Sequence, residues 1–314
     1  MRSRFILLFW LLPMMAIAQS PFEQKIKNMP VVYLDNGVTL TFDEPEIITS
    51  KPTKVILYAL PNGNTTAQTY GKKLAKGDDW HFDIQHIGAQ TSFIRNTDGK
   101  TNYIVVYVEN SLKSWPQWRR QNKNSDSLIH TIVDTIYRKY QNLKPTISLT
   151  GHSGGGSFIF GYLNAQATQL PKYIERIGFL DATYAYETEK HQLKLEEWLK
   201  QKDKYLQVIA YNDSVVIYNG KPLVSATGGT WYQSKLMAKD LKPLKYQETN
   251  EQLIWQNKSN TTSIILINNP EGKILHTVMV ERNGFVHLLF NGTKFASKNY
   301  RFWHKRAYDS YILE

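Results

Sequence analysis

The stretch PTISLTGHSGGGSFIFGYLNA, residues 145–165, places a serine between glycines, directly after one apolar run and directly before another. Residues 145–150 have the composition of a strand buried on both faces of a sheet, and the segment after the glycines is typical of a helix. Between them, Gly151-His152-Ser153-Gly154-Gly155 fits the pattern G-x-S-x-G. A serine that only caps a helix needs no such glycines, so the spacing indicates a sharp, exposed turn built around Ser153.

The spacing of these glycines suits a nucleophilic serine. Side chains at Gly151 and Gly155 would collide with the adjoining strand and helix, and the strained turn would expose the serine oxygen at the edge of a sheet. The same turn would aim the Gly154 N–H at the position of a developing oxyanion. The main alternative is a phosphate-binding glycine loop, but the stretch lacks the lysine of a P-loop and the G-x-G-x-x-G spacing. We therefore expect Ser153 to be a nucleophile.

Strand-like and helix-like segments alternate along the chain. The Asn36-Gly37 pair between two apolar runs predicts a β-hairpin within residues 30–44. Further predicted strands are 53–60, 101–110, 145–150, 174–181, 205–213 and 263–269, and predicted helices include 125–143 and 284–292. This alternation predicts an α/β fold with a mostly parallel sheet and helices on both faces. Functional residues are then expected where the parallel strands end.

The N-terminus has the features of an export signal. Arg2 and Arg4 precede the apolar segment FILLFWLLPMM, and Ala16-Ile17-Ala18 fits a small-residue cleavage site. A membrane anchor is the alternative, but the apolar segment is short and Pro13 interrupts it. We expect a signal peptide at 1–18, an extension carrying the hairpin at 19–49 and the main α/β domain at 50–314. Signal cleavage would leave no stable membrane anchor and a periplasmic or secreted protein.

The composition limits the chemistry and the partners. The formal net charge is +11 and there is no cysteine, which excludes disulfides, thiolate metal sites and a cysteine nucleophile. Lysine and arginine are scattered, without a nucleic-acid-binding motif, so we expect a solvated basic surface, no nucleic-acid partner and no metal site. Two aromatic stretches, a predicted loop at 114–121 and residues 225–236, suit stacking on sugar rings or holding a carboxylate, and surface packing is the favoured alternative.

With its serine turn in this strand–turn–helix context, the chain resembles the α/β-hydrolase superfamily over roughly residues 50–310. The resemblance implies an α/β-hydrolase fold and a serine, an acid and a histidine in that chain order. It also implies acyl-transfer chemistry without a cofactor, most often ester hydrolysis.

Two aspartates end predicted strands after the serine motif. Asp213 ends strand 205–213, which is the commoner location of the acid in this superfamily. Asp181 ends strand 174–181, where pancreatic-type lipases place their acid, and the segment RIGFLDATY resembles theirs. We favour Asp181 and keep Asp213 as the alternative acid. The competing structural roles are a helix cap for Asp181 and a turn residue for Asp213.

The resemblance places the histidine base on a loop after the last predicted strand, and His276 occupies that position. His287 is the alternative, although its surroundings favour packing on a helix. His152 is expected to point away from the reacting face. His81 and His86 precede the serine and so break the chain order.

A second oxyanion donor is expected from LPNGNT, residues 60–65, where Asn62, Gly63 or Asn64 could supply an N–H. The loop lacks the His-Gly pair common in the superfamily, so the donor stays open. The expected function is an exported serine hydrolase that acts on a small-molecule, glycan or lipid ester through an acyl-enzyme. A serine peptidase or amidase with the same triad, and a non-catalytic binding protein on this scaffold, are the alternatives.

Overall fold

The computed structural model describes residues 19–314, and the predicted signal peptide at 1–18 lies outside the described residues. The strands are β1 (Val31–Tyr33), β2 (Val38–Asp43), β3 (Thr53–Ala59), β4 (Asn102–Asn110), β5 (Thr146–His152), β6 (Ile174–Leu180), β7 (Tyr205–Tyr211), β8 (Ile217–Tyr218), β9 (Lys221–Pro222), β10 (Lys245–Glu248), β11 (Gln252–Gln256) and β12 (Thr262–Ile267). The helices are α1 (Pro21–Asn28), α2 (Thr66–Tyr70), α3 (Ile87–Thr97), α4 (Trp115–Gln121), α5 (Ser125–Lys139), α6 (Gly156–Ala165), α7 (Thr188–Leu199), α8 (Thr230–Asp240), α9 (Val278–Glu281) and α10 (Gly284–Phe290).

A ten-stranded sheet of mixed direction forms the centre of the described chain, in the order β1-β2-β4-β3-β5-β6-β7-β12-β11-β10. The six central strands, β4-β3-β5-β6-β7-β12, are parallel to one another, and the antiparallel pairs lie at the two edges of the sheet. Because the central strands are covered on both faces, their sequences are continuous apolar runs rather than alternating ones. The predicted fold class, a mostly parallel sheet with helices on both faces, is confirmed.

Two hydrophobic layers cover the sheet. One face packs against α4 to α8, with Trp115, Phe158 and Trp198 fully buried in that layer. The other face packs against α1, α3 and α10, with Phe93 and Phe285 among its buried members. The stretch 114–121, expected to be a loop, is instead helix α4, and its two tryptophans belong to the core.

The predicted N-terminal hairpin is present and joins the main sheet. Strands β1 and β2 pair with Val32 opposite Leu40, and β2 in turn pairs with β4. Gly37 has a φ of +75° in the connecting turn, a conformation that glycine adopts without steric cost.

The edge strands β10 and β11 were not predicted, because every residue of β10 is exposed and the segment lacks apolar alternation. Among residues 19–314, no helix combines the length and the apolar character needed to cross a membrane.

Candidate active site

Ser153 lies in a strained turn at the carboxyl edge of the sheet. Strand β5 ends at His152 and helix α6 begins at Gly156, with a single 3₁₀ turn between them. Ser153 has a φ of +54°, in the left-handed region. A non-glycine residue in such a sparsely populated region costs about 1–3 kcal/mol, and strain of this kind clusters at functional sites. The serine itself is half-buried.

Close backbone approach on both sides of the turn requires glycine. A Cβ at Gly155 would lie 2.1 Å from the carbonyl oxygen of Ala59, at the end of β3. A Cβ at Gly156 would lie 1.8 Å from the carbonyl oxygen of Ala182, just after β6. Neither backbone oxygen can move without displacing its strand end. The glycines therefore let α6 start directly against two neighbouring strands.

Asp181 and His276 are in direct contact next to this turn. Asp181 follows β6, has a φ of +45° and buries its carboxylate completely. His276 lies on the loop after β12, and 25% of its side chain is exposed. The Nδ1 atom of His276 forms a hydrogen bond with Oδ2 of Asp181. Because an ionised carboxylate only accepts, Nδ1 carries the proton in this pair and Nε2 is left as the basic nitrogen.

Thr230, the first residue of α8, completes the surroundings of this carboxylate. Its hydroxyl group donates to Oδ1 of Asp181, the oxygen that does not contact His276. Thr230 and Asp181 are both fully buried. Each carboxylate oxygen of Asp181 thus has its own donor, so the side chain is held in one orientation.

Asp213 lies on the other side of Thr230 from Asp181 and caps helix α8. Its carboxylate accepts from the backbone N–H of Thr230 at 2.7 Å and from that of Trp231 at 3.3 Å. Oδ2 also lies 3.3 Å from the Thr230 hydroxyl oxygen. Burial, followed by the nearby charge of Asp181, raises the pKa of Asp213, and the backbone N–H groups oppose the shift. Of the two aspartates, the structure brings Asp181 to His276 and places Asp213 at the helix N-terminus.

His152 connects the serine turn to the loop that carries His276. The two imidazole rings lie 4.5 Å apart between centroids, at 35°. Nε2 of His152 lies 3.1 Å from the backbone carbonyl oxygen of His276. Since His152 precedes Ser153 directly, this contact brings the His276 loop to the serine turn. The sequence expectation for His152 did not include this contact.

The other candidate histidines have different partners. His287 is buried, stacks on Phe302 at 4.6 Å and contacts the Tyr300 hydroxyl group. Burial, followed by the charge of Arg176, lowers the pKa of His287 to about 3. His81 and His86 pair with aspartates on their own loop. Across residues 19–314, no group of three or more His, Asp or Glu side chains is arranged to hold a metal ion.

The three candidates in the loop after β3 differ in availability. A Cβ at Gly154 would lie 2.0 Å from Oδ1 of Asn62, so the Asn62 side chain packs directly on Gly154. The backbone N–H of Gly63 donates to the carbonyl oxygen of Lys113 at 2.8 Å and is therefore engaged. Asn64 is buried. Gly154 and Asn62 are thus the two oxyanion candidates that the structure brings together.

Two members of the site were missed from the sequence. Thr230 lies in the stretch SATGGTWYQSKL, 225–236, for which sugar stacking, holding a carboxylate or surface packing was expected, without a role for any single residue. The Gly228-Gly229 pair directly before Thr230 was the available sequence signal, and in the structure a Cβ at Gly229 would lie 2.4 Å from the Asp213 carboxylate. His152 was visible inside the motif, but its contact with His276 joins segments that are 124 residues apart.

Comparison with known proteins gives a fold but no family. No protein-family model matches the chain, and no curated protein matches it in sequence. Among solved structures, a thermostable esterase superposes with a TM-score of 0.54 at 10% identity, covering 85% of this chain and 64% of the esterase. The chain therefore spans less than two thirds of that esterase.

Two further solved structures have lower scores. A siderophore hydrolase from Aspergillus nidulans has a TM-score of 0.47 at 11% identity, covering 90% of this chain and 98% of the hydrolase. An acetyl xylan esterase from Aspergillus awamori has a TM-score of 0.44 at 11% identity, covering 77% of this chain and 92% of the esterase. Together with the sheet topology, the similarity to the thermostable esterase shows that this chain has the α/β-hydrolase fold.

Proposed function

We propose that the protein is an exported serine hydrolase that cleaves carboxylic esters through an acyl-enzyme. The observation that carries the proposal is the hydrogen bond between His276 and the buried Asp181, on a loop that contacts the residue preceding Ser153. A serine in a strained turn, a histidine with one free nitrogen and a buried carboxylate are the parts of a nucleophilic triad.

In the first step, Oγ of Ser153 attacks the ester carbonyl carbon while Nε2 of His276 accepts the hydroxyl proton. The carbonyl oxygen becomes an oxyanion, and the backbone N–H groups of Gly154 and Asn62 are the proposed donors to it. Collapse of this intermediate breaks the ester C–O bond. The imidazolium returns its proton to the leaving alcohol, and the acyl group stays on the serine.

In the second step, a water molecule replaces the alcohol. His276 takes one water proton as the hydroxide oxygen bonds to the acyl carbon, and the imidazolium then protonates Ser153 as the acid product leaves. The Asp181 carboxylate stays ionised throughout and stabilises the imidazolium that forms twice in the cycle. The proposed substrates are small-molecule, glycan or lipid esters.

Hydrolysis of a p-nitrophenyl ester by the wild-type protein and by Ser153→Ala tests this function. We expect the substitution to lower turnover by at least about three orders of magnitude, as loss of a triad member does. Ser157→Ala is the matched control, because this serine lies one helical turn further along, with its hydroxyl group 3.3 Å from Arg119. A Ser153→Ala protein with wild-type turnover would refute the proposal. Equal cleavage of an aminoacyl nitroanilide would identify an amidase instead.

We further propose that the protein is exported and loses residues 1–18. The first described helix, α1, begins at Pro21, with Ser20 and Glu23 forming a capping box. Cleavage after Ala18 would therefore leave this helix and its cap complete. N-terminal sequencing of the protein recovered from outside the cytoplasm should begin near Gln19, and an intact Met1 would contradict the proposal.

A further inference from the structure

His152 occupies the position between glycine and serine in the motif, yet its side chain reaches a different segment of the chain. It is 2% exposed and lies against the loop after β12. Its Nε2 atom lies 3.1 Å from the carbonyl oxygen of His276, within the normal range of a hydrogen bond. The nucleophile and the base thus belong to segments joined by one side chain.

The chemistry of this contact fixes the tautomer of His152. A carbonyl oxygen only accepts hydrogen bonds, so Nε2 must carry the proton and Nδ1 must be the bare nitrogen. Nδ1 is buried and has no hydrogen-bond partner among the described residues. Burial, followed by the nearby His276, holds the pKa of His152 well below its usual range, so the ring stays neutral. The donor is therefore present whatever the charge on His276.

Packing alone does not explain a histidine at this position. A buried nitrogen without a partner costs about 1–3 kcal/mol, which an apolar side chain of similar size would avoid. What an apolar side chain lacks is the Nε2–H donor. The hydrogen bond to the His276 backbone is thus the property that distinguishes histidine from an apolar residue here.

We propose that His152 is a positioning residue that holds the main chain of His276 in register with Ser153 through the Nε2–H···O=C hydrogen bond. This inference rests on the proposed triad. Because His152 is covalently joined to Ser153, the bond ties the base loop directly to the nucleophile. Asp181 orients the imidazole ring of His276, and His152 holds the backbone carbonyl group of His276 in place.

Two substitutions of His152 distinguish the effect of the hydrogen-bond donor from the effect of the aromatic ring. His152→Phe keeps an aromatic ring but removes the donor, whereas His152→Gln removes the ring but presents an amide N–H at a similar reach. We expect His152→Phe to lower kcat on the order of 10- to 100-fold with KM little changed, as small misplacements of reacting groups do. His152→Gln should recover most of kcat. His191→Phe is the control, since His191 is also buried but bonds to Asn164 and Glu187.

A spectroscopic signature tests the inference independently of activity. The Nδ1 proton of His276, bonded to Asp181, should give a far-downfield ¹H resonance in the full-length protein, assigned by its absence in His276→Gln. The resonance should shift or broaden in His152→Phe, and should be retained in His152→Gln and His191→Phe. If His152→Phe does not fold, His152→Met, which also lacks the donor, replaces it.

The outcomes separate the two claims. An unchanged resonance and an unchanged kcat in the donorless variant overturn the positioning role, as does a His152→Gln protein that is as impaired as His152→Phe. A wild-type protein that hydrolyses no ester, while the resonance still responds to His152, refutes the proposed function and leaves the structural connection standing.

Discussion

Asparagine in place of Asp181 removes one charge from the proposed triad while keeping the size of the side chain. Asp181 accepts two hydrogen bonds, from Nδ1 of His276 and from the hydroxyl group of Thr230. An asparagine amide has only one oxygen for these two donors. If that oxygen faces Thr230, the amide N–H faces Nδ1, and the imidazole proton moves to Nε2, where it prevents proton transfer from Ser153. If the oxygen faces Nδ1, the charge that stabilises the imidazolium is lost.

Loss of the correct tautomer in a serine triad lowers turnover by about 10⁴. Since each tenfold is about 1.36 kcal/mol of activation free energy, the expected loss is about 5.4 kcal/mol. Asp213→Asn is the matched control, because Asp213 is also buried and lies on the other side of Thr230. Its amide oxygen can still accept from the Thr230 backbone N–H. We expect turnover close to that of the wild type in this variant.

Steady-state kinetics with a p-nitrophenyl ester, together with urea denaturation of each variant, measure both effects. The expected result is an Asp181→Asn protein that is folded but nearly inactive, and an Asp213→Asn protein that is active. An Asp181→Asn protein within tenfold of wild-type turnover would refute the reasoning. So would equal losses in the two variants, because the carboxylate that contacts His276 would then have no distinct role, and a loss confined to Asp213→Asn would assign the acid to Asp213.

Three further predictions concern Gly155, Thr230 and Asp213 in the surroundings of the site. Gly155→Ala should destabilise the protein by about 1–3 kcal/mol, because its Cβ would lie 2.1 Å from the Ala59 oxygen, and an unchanged urea midpoint would contradict this packing. Thr230→Val should lower the free energy of unfolding by about 1.5–3 kcal/mol and also lower turnover, because Asp181 loses one of its two hydrogen-bond donors. Thr230→Ser keeps the hydroxyl group and should retain stability and turnover. Equal behaviour of the two variants would show that the hydroxyl group has no role in holding Asp181. The raised pKa of Asp213 means that the folded protein binds this proton more tightly than the unfolded chain, so the contribution of Asp213 to stability falls as pH rises above the ordinary value of 3.8. The stability of Asp213→Asn relative to wild type should therefore increase in urea titrations as the pH rises above 3.8, and a decrease would contradict the shift.

The central fold was predictable because its signals are local. The central strands are buried on both faces and read as continuous apolar runs, and Asn36-Gly37 marked the hairpin turn. Edge strand β10 is exposed along its whole length and carries no such signal. Helix α4 has only seven residues, and its Trp115 packs in the core against Phe158 of α6. These elements depend on packing partners that are distant in sequence.

The order of residues along the chain and the ends of the predicted strands were enough to predict part of the candidate site. Ser153 and His276 stood out through motif and position, while Asp181 and Asp213 both ended strands, so the sequence left both open. The structure distinguishes the two aspartates by their contacts, because Asp213 accepts from a backbone N–H group at the N-terminus of α8 and Asp181 contacts His276. Thr230 carries no chemical motif, and its place depends on where α8 docks against the sheet.

The central claim is that Ser153 is an activated nucleophile, and labelling with a fluorophosphonate probe tests it most directly. Such a probe reacts far faster with a serine whose hydroxyl group is activated than with an ordinary serine. Mass spectrometry of the labelled, digested protein should place the adduct on Ser153, and Ser153→Ala should remain unlabelled. The matched Ser157→Ala protein should label like the wild type. Absence of an adduct on Ser153 in the folded wild-type protein, or an adduct on another residue that persists in Ser153→Ala, would contradict the account.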